Sequence, residues 1–165
     1  GLGKVRAYTG SFGIFVRTYA YILAYGANGL KEVSEAAVAN ANYLLGKLRD
    51  YYQLPFDEDA MHEFVITGQW QKDENGVKTT DIAKRLIDLG YHPPTIYFPL
   101  IVHEAMMIEP TETETEEGLE GLASAFIQIA IEAKNNPDLL KTAPHHMPIK
   151  RPDETKAART PILKA

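Results

Sequence analysis

The stretch Tyr91–Ile108, YHPPTIYFPLIVHEAMMI, carries the reading on which the fold turns. Tyr91-His92-Pro93-Pro94 forces extended or polyproline-like backbone, because proline fixes its own φ and biases the residue before it away from helix. Thr95–Leu100 and His103–Ile108 then read as two strands, with Pro99 confining the first to a sheet edge or cutting it short. Upstream, His62–Thr67 (HEFVIT) is short, rich in β-branched and aromatic residues and bounded by turn formers, so it reads as a third strand.

Working outward, Gly68–Val77, with its Asn75-Gly76 turn signal, reads as a loop. Thr79 or Thr80 caps a helix to Leu89, whose apolar face is Ile82, Ala83, Leu86 and Ile87, and Gly90 closes it at C′. Further upstream, Ser11 caps a helix Phe12–Tyr25 that is apolar on most sides, the kind that wants burial between other elements. Gly26 and Asn28-Gly29 interrupt the pattern. Leu30–Tyr52 then places Leu30, Val33, Ala37, Ala41, Leu44, Leu45, Leu48 and Tyr52 on one helical stripe, ended by Leu54-Pro55-Phe56. Downstream, Thr111-x-x-Glu114 forms a capping-box pattern for a helix whose stripe is Leu119, Leu122, Ala123, Phe126, Ile129, Ala130 and Ala133. Asn135-Asn136-Pro137 stops it. From Ala143 onward the chain is basic, with four prolines, and reads as an extended tail.

The expected fold is therefore α+β: long N-terminal helices followed by a small antiparallel or mixed sheet with helices on one face. Three segments follow from this reading: a helical segment 1–56, a small α+β domain 57–142 and a basic extended tail 143–165.

A chain of 165 residues with 45% apolar and 24% charged residues is about one ordinary globular domain and excludes wholesale disorder. The absence of cysteine excludes disulfides, thiolate metal sites and cysteine nucleophiles. A net charge of −5 argues against a general nucleic-acid binder. No stretch reaches the roughly 20 apolar residues of a membrane helix, and Gly1–Arg6 do not build a secretory signal. The expected compartment is the cytoplasm of a bacterium or archaeon, or the mitochondrial matrix in a eukaryote. The start without methionine, running quickly into helical pattern, suggests a piece of a longer polypeptide or a processed product.

Five histidines raise the question of a metal, and the expectation is none. His62-Glu63 begins like HExxH, but Ile66 breaks the motif, and in a strand the two side chains would face opposite ways. His145-His146 reads as a solvated pair. The six glutamates of Glu109–Glu120 lack the glycine and alternating ligands of a calcium loop and fit a helix entrance instead. Glu109-Pro110-Thr111-Glu112 follows a strand directly, where functional loops lie. His92, Thr95 and Tyr97 are held on stiffened backbone, which suits either a site or a rigid connector. Gly1-x-Gly3 and Gly10-x-x-Gly13 lack the strand and Gly-Lys-Ser/Thr of a phosphate loop. From pattern alone the chain yields a fold class and no catalytic site.

At this point a resemblance enters. The run GYHPPTIYFPLIVHEAMMIEPTETETEE (90–117) closely resembles the C-terminal part of glycine dehydrogenase (decarboxylating), the P-protein family of the glycine cleavage system. VSEAAVANANYLLGKLRDYYQLPFDEDAMHEFV (33–65) and VRAYTGSFGIFVRTYAYI (5–22) look like the same family further upstream, in the same order. In two-chain versions the match is to the end of subunit 2. The resemblance implies a fold-type-I pyridoxal-phosphate enzyme, with this region as the inter-domain helix and small C-terminal domain. It also implies decarboxylation of glycine and transfer of the aminomethyl group to the lipoyl arm of H-protein.

The implied partners are the remainder of the P-protein (the large cofactor domain and subunit 1 or the N-terminal half), lipoylated H-protein and glycine, with neither nucleic acid nor membrane. The family's cofactor lysine follows a histidine, and none of the eleven lysines here does, so pyridoxal phosphate belongs to the intact enzyme and none is expected on this chain alone. By the resemblance His92, Thr95 and Tyr97 face the mouth of the lipoyl channel, with Glu109, Thr111 and His62 nearby. Arg151 and Arg159 are the late candidates for a substrate-carboxylate contact. The basic tail is expected to pack against Glu109–Glu120 or the partner half. The reading from a different class is a stand-alone, non-catalytic α+β interaction module. Its apolar first helix, if uncovered, leads to self-association.

Overall fold

The computed structural model describes Gly3 and residues 10–56 and 58–163. The VRAYT stretch and most of the Gly1-x-Gly3 motif lie outside them. Among the described residues nine elements follow in order: α1 (Phe12–Leu48), β1 (Phe64–Thr67), α2 (Gln69–Asn75), α3 (Thr79–Asp88), β2 (Thr95–Ile96), β3 (Ala105–Ile108), α4 (Glu116–Asn135), α5 (Pro137–Lys141) and α6 (Glu154–Arg159). The sheet order is β1-β3-β2, antiparallel throughout. The expected α+β architecture is what the chain adopts.

Register explains how the core forms. Ile66 pairs with Met106 and Phe64 with Ile108, and all four are buried on one face of the sheet. Against that face pack Leu44, Leu48 and Tyr52 from α1 and its following turn, Ile82 and Leu86 from α3, and Phe126 and Ile129 from α4, all fully buried. Tyr52 stands edge-on to Phe126 at 5.6 Å and donates its hydroxyl to the Phe126 carbonyl at 2.8 Å, so burial costs it no hydrogen bond. Burial holds that phenol un-ionised, its pKa far above the ordinary value. Arg85 on α3 meets Glu132 on α4 through two parallel contacts at 2.8 and 2.9 Å, a fork-to-fork pair that fixes the two helices.

Several expected boundaries move, each for a visible reason. The two leading helices run on within α1 and meet at a kink at Gly26, the expected break, whose φ of 62° and ψ of −174° suit glycine alone; Asn28-Gly29 lies inside the second helix. β1 begins at Phe64, so His62 and Glu63 precede it. Their side chains approach to 3.7 Å rather than facing apart. The expected 68–77 loop contains α2, closed by Gly76 in the left-handed conformation. Lys78, not Thr79 or Thr80, caps α3, because Thr79 gives both its N–H and its hydroxyl to Glu104, at 2.8 Å each.

The Thr111-x-x-Glu114 box does not form. Thr111 is held by Asn40, and Thr115 caps α4 instead, accepting from the Gly118 N–H at 3.1 Å. Pro137 stops α4 and at once opens the short α5. The tail carries the exposed α6. Among the described residues its contacts run to α3 and α5, not to Glu109–Glu120: Arg151 reaches Asp81 and the Leu140 carbonyl, and the His145 and His146 N–H groups reach Asp88. The pair is accordingly anchored through its backbone, with His145 half-buried and its ring 2.8 Å from the Leu139 carbonyl, while His146 stays exposed as expected.

Candidate functional site

Because β2 and β3 are antiparallel and Thr95 pairs with Met107, the diproline segment entering β2 and the Glu109-Pro110 loop leaving β3 emerge at one end of the sheet. The N-terminal turns of α4 close over the same end. Between them lies a cleft of about 450 Å³. Tyr91–Thr95 form one wall, Met107–Pro110 the floor, and Gly118, Leu119 and Leu122 the opposite wall. Gly121 admits the Tyr91 ring there, since a Cβ at that position would lie 2.5 Å from the Tyr91 hydroxyl. Prolines at both entrances set the backbone before any ligand arrives.

Of the candidate residues, His92, Thr95 and Glu109 line this cleft together and are exposed to it. His62 is at the same end of the sheet by register, since Phe64 faces Ile108, but it lines a separate hollow with Phe56, Met61 and Val65. Thr111 sits beyond the cleft and ties its loop to α1, its carbonyl accepting from Asn40 Nδ2 at 2.8 Å. Tyr97 is elsewhere. Its φ of 57° turns the chain at the far end of β2, and its hydroxyl lies 2.8 Å from the Thr80 hydroxyl on α3. Arg151 is already engaged: Nη1 lies on Asp81 at 2.7 Å, Nη2 on the Leu140 carbonyl at 2.9 Å, and Nε on the Ala143 carbonyl. Arg159 lies on exposed α6.

Glu109 and Glu114 give the cleft an acidic rim faced by one imidazole, so it suits a neutral or cationic guest. No hydrogen bond joins His92, Thr95 and Glu109 among the described residues, so the geometry offers orientation and binding rather than a nucleophile with its base. Among the described residues no group of three or more His, Asp or Glu side chains converges on a metal position.

The cleft's other lining residues, Glu114, Gly118, Leu119 and Leu122, escaped sequence reasoning. The α4 stripe marks Leu119 and Leu122 as core, and only the tertiary placement of the helix start shows that the same turns face a cleft. A second buried ion site also lacked a sequence signal. Glu104, with φ 52°, receives Lys72 Nζ at 2.6 Å and the Thr79 N–H at 2.8 Å. Burial pushes its carboxyl up, but Lys72 and Thr79 outweigh it and hold it below the ordinary value.

A sequence model of the family described as glycine dehydrogenase, C-terminal domain, matches residues 33–146. Three curated relatives from Caldanaerobacter subterraneus subsp. tengcongensis, Staphylococcus haemolyticus and Bacillus licheniformis are 57%, 58% and 57% identical over 163 residues. Each is named "Probable glycine dehydrogenase (decarboxylating) subunit 2", and the match covers 99% of this chain and 33% of the relative's length. The chain thus spans about one third of the relatives it matches. With the family's region running from Val33, within α1, to His146 at the anchor of the tail, this chain belongs to the glycine dehydrogenase C-terminal domain family.

Proposed function

We propose that the chain serves as the C-terminal part of a pyridoxal-phosphate-dependent glycine decarboxylase of the glycine cleavage system, with its cleft forming one wall of the passage to the reacting centre. The observation that carries this reading is the convergence of His92, Thr95 and Glu109 on one prestiffened cleft within the family's own region. His92 and Thr95 there offer polar contacts to the arriving lipoyl arm of H-protein, and the apolar wall of Leu119 and Leu122 suits that arm's hydrocarbon stem. Tyr97 and Thr111 hold the two flanking loops in place. The rest of the P-protein and glycine complete the set of partners.

Pyridoxal phosphate supplies the electron sink for the decarboxylation when it is bound. The residues lining the cleft do not fit it, none of them being a lysine. An imine-forming amine needs its proton removed easily, yet Lys47 and Lys72 are paired with Glu120 and Glu104, which raise their pKa. The cleft carries carboxylates where a phosphate needs cations or free N–H groups. The large domain of the longer enzyme holds the cofactor. Arg151, with all its nitrogens occupied, acts on the tail.

The test is made on the full-length enzyme. His92→Ala and Thr95→Val slow aminomethyl transfer to lipoylated H-protein and leave the cofactor absorbance unchanged. The 165-residue chain mixed with pyridoxal phosphate and glycine releases no CO2. Transfer at the unmodified rate in both variants overturns the cleft assignment, and decarboxylation by the isolated chain overturns the division of labour.

A further inference from the structure

A second cavity, of about 460 Å³, lies away from the cleft, between the turn after α1, α2 and the last turns of α4. Its lining is unusual in what it offers a guest. Trp70 and Tyr51 present half-uncovered rings, at 44% and 37% exposure. Asp50 and Glu74 bring two carboxylates that make no ion pair or hydrogen bond among the described residues, against the single cation Lys134.

Gln71, only 6% exposed, spends its amide N–H on the Tyr51 carbonyl at 2.8 Å, and its Oε1 is buried with no partner. A buried acceptor without a donor is destabilising, so a native protein that keeps one gains when a donor arrives. Aromatic faces, carboxylates and an unpaired amide oxygen are all features that attract a cation carrying several N–H groups.

We propose that this cavity is a guanidinium-binding site. The acceptors come from different elements, Asp50 from the turn and Gln71 and Glu74 from α2, so they ask for a donor whose N–H groups point several ways at once. A planar guanidinium does that while stacking on an indole or phenol ring; an ammonium is a compact, more strongly hydrated point charge. The group comes either from an arginine side chain of a docked polypeptide or from a small free guanidino compound, and both present the same chemistry to the site.

Trp70 is the chain's single tryptophan, so its emission reports on the cavity alone. The 165-residue chain is titrated with N-acetylarginine amide, methylguanidinium, N-acetyllysine amide and the neutral isostere N-acetylcitrulline amide. The side-chain amide resonances of Gln71 are followed in parallel by NMR.

The expected result is saturable binding of both guanidinium probes, at least tenfold weaker binding of the citrulline probe, and a similar tenfold loss in the Asp50→Asn/Glu74→Gln double variant. Tighter binding of the arginine amide than of methylguanidinium points to a polypeptide arginine, and equal binding to a free guanidino compound. Silence of both Trp70 and Gln71 up to the solubility limit, or citrulline binding as well as arginine, overturns the proposal.

Discussion

Arg151 Nη1 lies 2.7 Å from Asp81 Oδ1 and so joins the tail to the first turn of α3. The same guanidinium reaches the Leu140 and Ala143 carbonyls, satisfying acceptors where α5 ends. Arg151→Ala removes all three contacts, and although Asp81 keeps the Lys78 N–H and the Leu140 carbonyl keeps the Ala143 N–H, the loss costs about 1–2 kcal/mol given the partial exposure of the side chain. Hydrogen exchange is the measurement. Residues 143–151 lose protection in the variant while α4 keeps its own, and unchanged protection over 143–151 would show that the tail is held by other means.

Glu104 combines a buried carboxylate with left-handed backbone, and the two features are separable by substitution. Glu104→Ala strands the Thr79 N–H and frees Lys72, for an expected loss of about 2 kcal/mol in urea unfolding. Glu104→Gly loses the same contacts but relieves the strain at φ 52°, so it is more stable than the alanine variant by about 1 kcal/mol. Equal stability of the two variants would contradict a strained native backbone.

Acid unfolding follows from three depressed carboxyls that are at least partly buried, exposed Glu120 being a fourth that is lowered by Lys47 and Tyr43. At Asp88 burial pushes the pKa up, but the His146 and His145 N–H groups outweigh it; at Glu132 the Arg85 fork lowers it first; Glu104 is lowered as described. A carboxyl held below its unfolded value contributes stability that is complete above that value and lost as pH falls through the lower, folded one. The urea midpoint is therefore flat from pH 7 down to about 5 and falls below about pH 4. Asp88→Asn shallows that fall. A midpoint that fell already between pH 7 and 5 would show that these carboxyls do not set the acid limit.

The sequence carried most of the fold because periodicity and proline placement act locally. The Leu44-Leu48-Tyr52 stripe, the Phe126-Ile129 stripe and the short strand at Phe64–Thr67 all depend on spacing that a linear reading captures. The caps did not, since Thr79 and Thr111 look like helix starters until Glu104, distant in sequence, takes the Thr79 N–H and hydroxyl, and Thr113 takes the Thr111 hydroxyl. Likewise α2 hid behind its turn-forming Asn75-Gly76, and Arg151 looked like a free late cation until the tail folded back on Asp81. His92, Thr95 and Glu109 were legible as a group because the diproline and the strand end flag them; the α4 wall opposite them depends on tertiary placement alone.

The first half of α1 makes the last prediction. Residues 10–28 are exposed on every side, including Phe12 at 79%, Tyr19 and Leu23 at 65% each, and Ile14, Phe15 and Ile22 near one half. A helix apolar all round is stable when surrounded, and a free patch of this kind exceeds what monomers ordinarily leave in water. The isolated chain therefore self-associates, and light scattering at micromolar concentration gives a mass of two protomers or more. Phe15→Glu with Leu23→Glu removes two of the anchors and restores the mass of one protomer, with unchanged signal from the core helices in circular dichroism. A single-protomer mass for the unmodified chain, on dilution or at high concentration, would mean that these side chains find cover within one chain and that the exposed helix half is not its solution form.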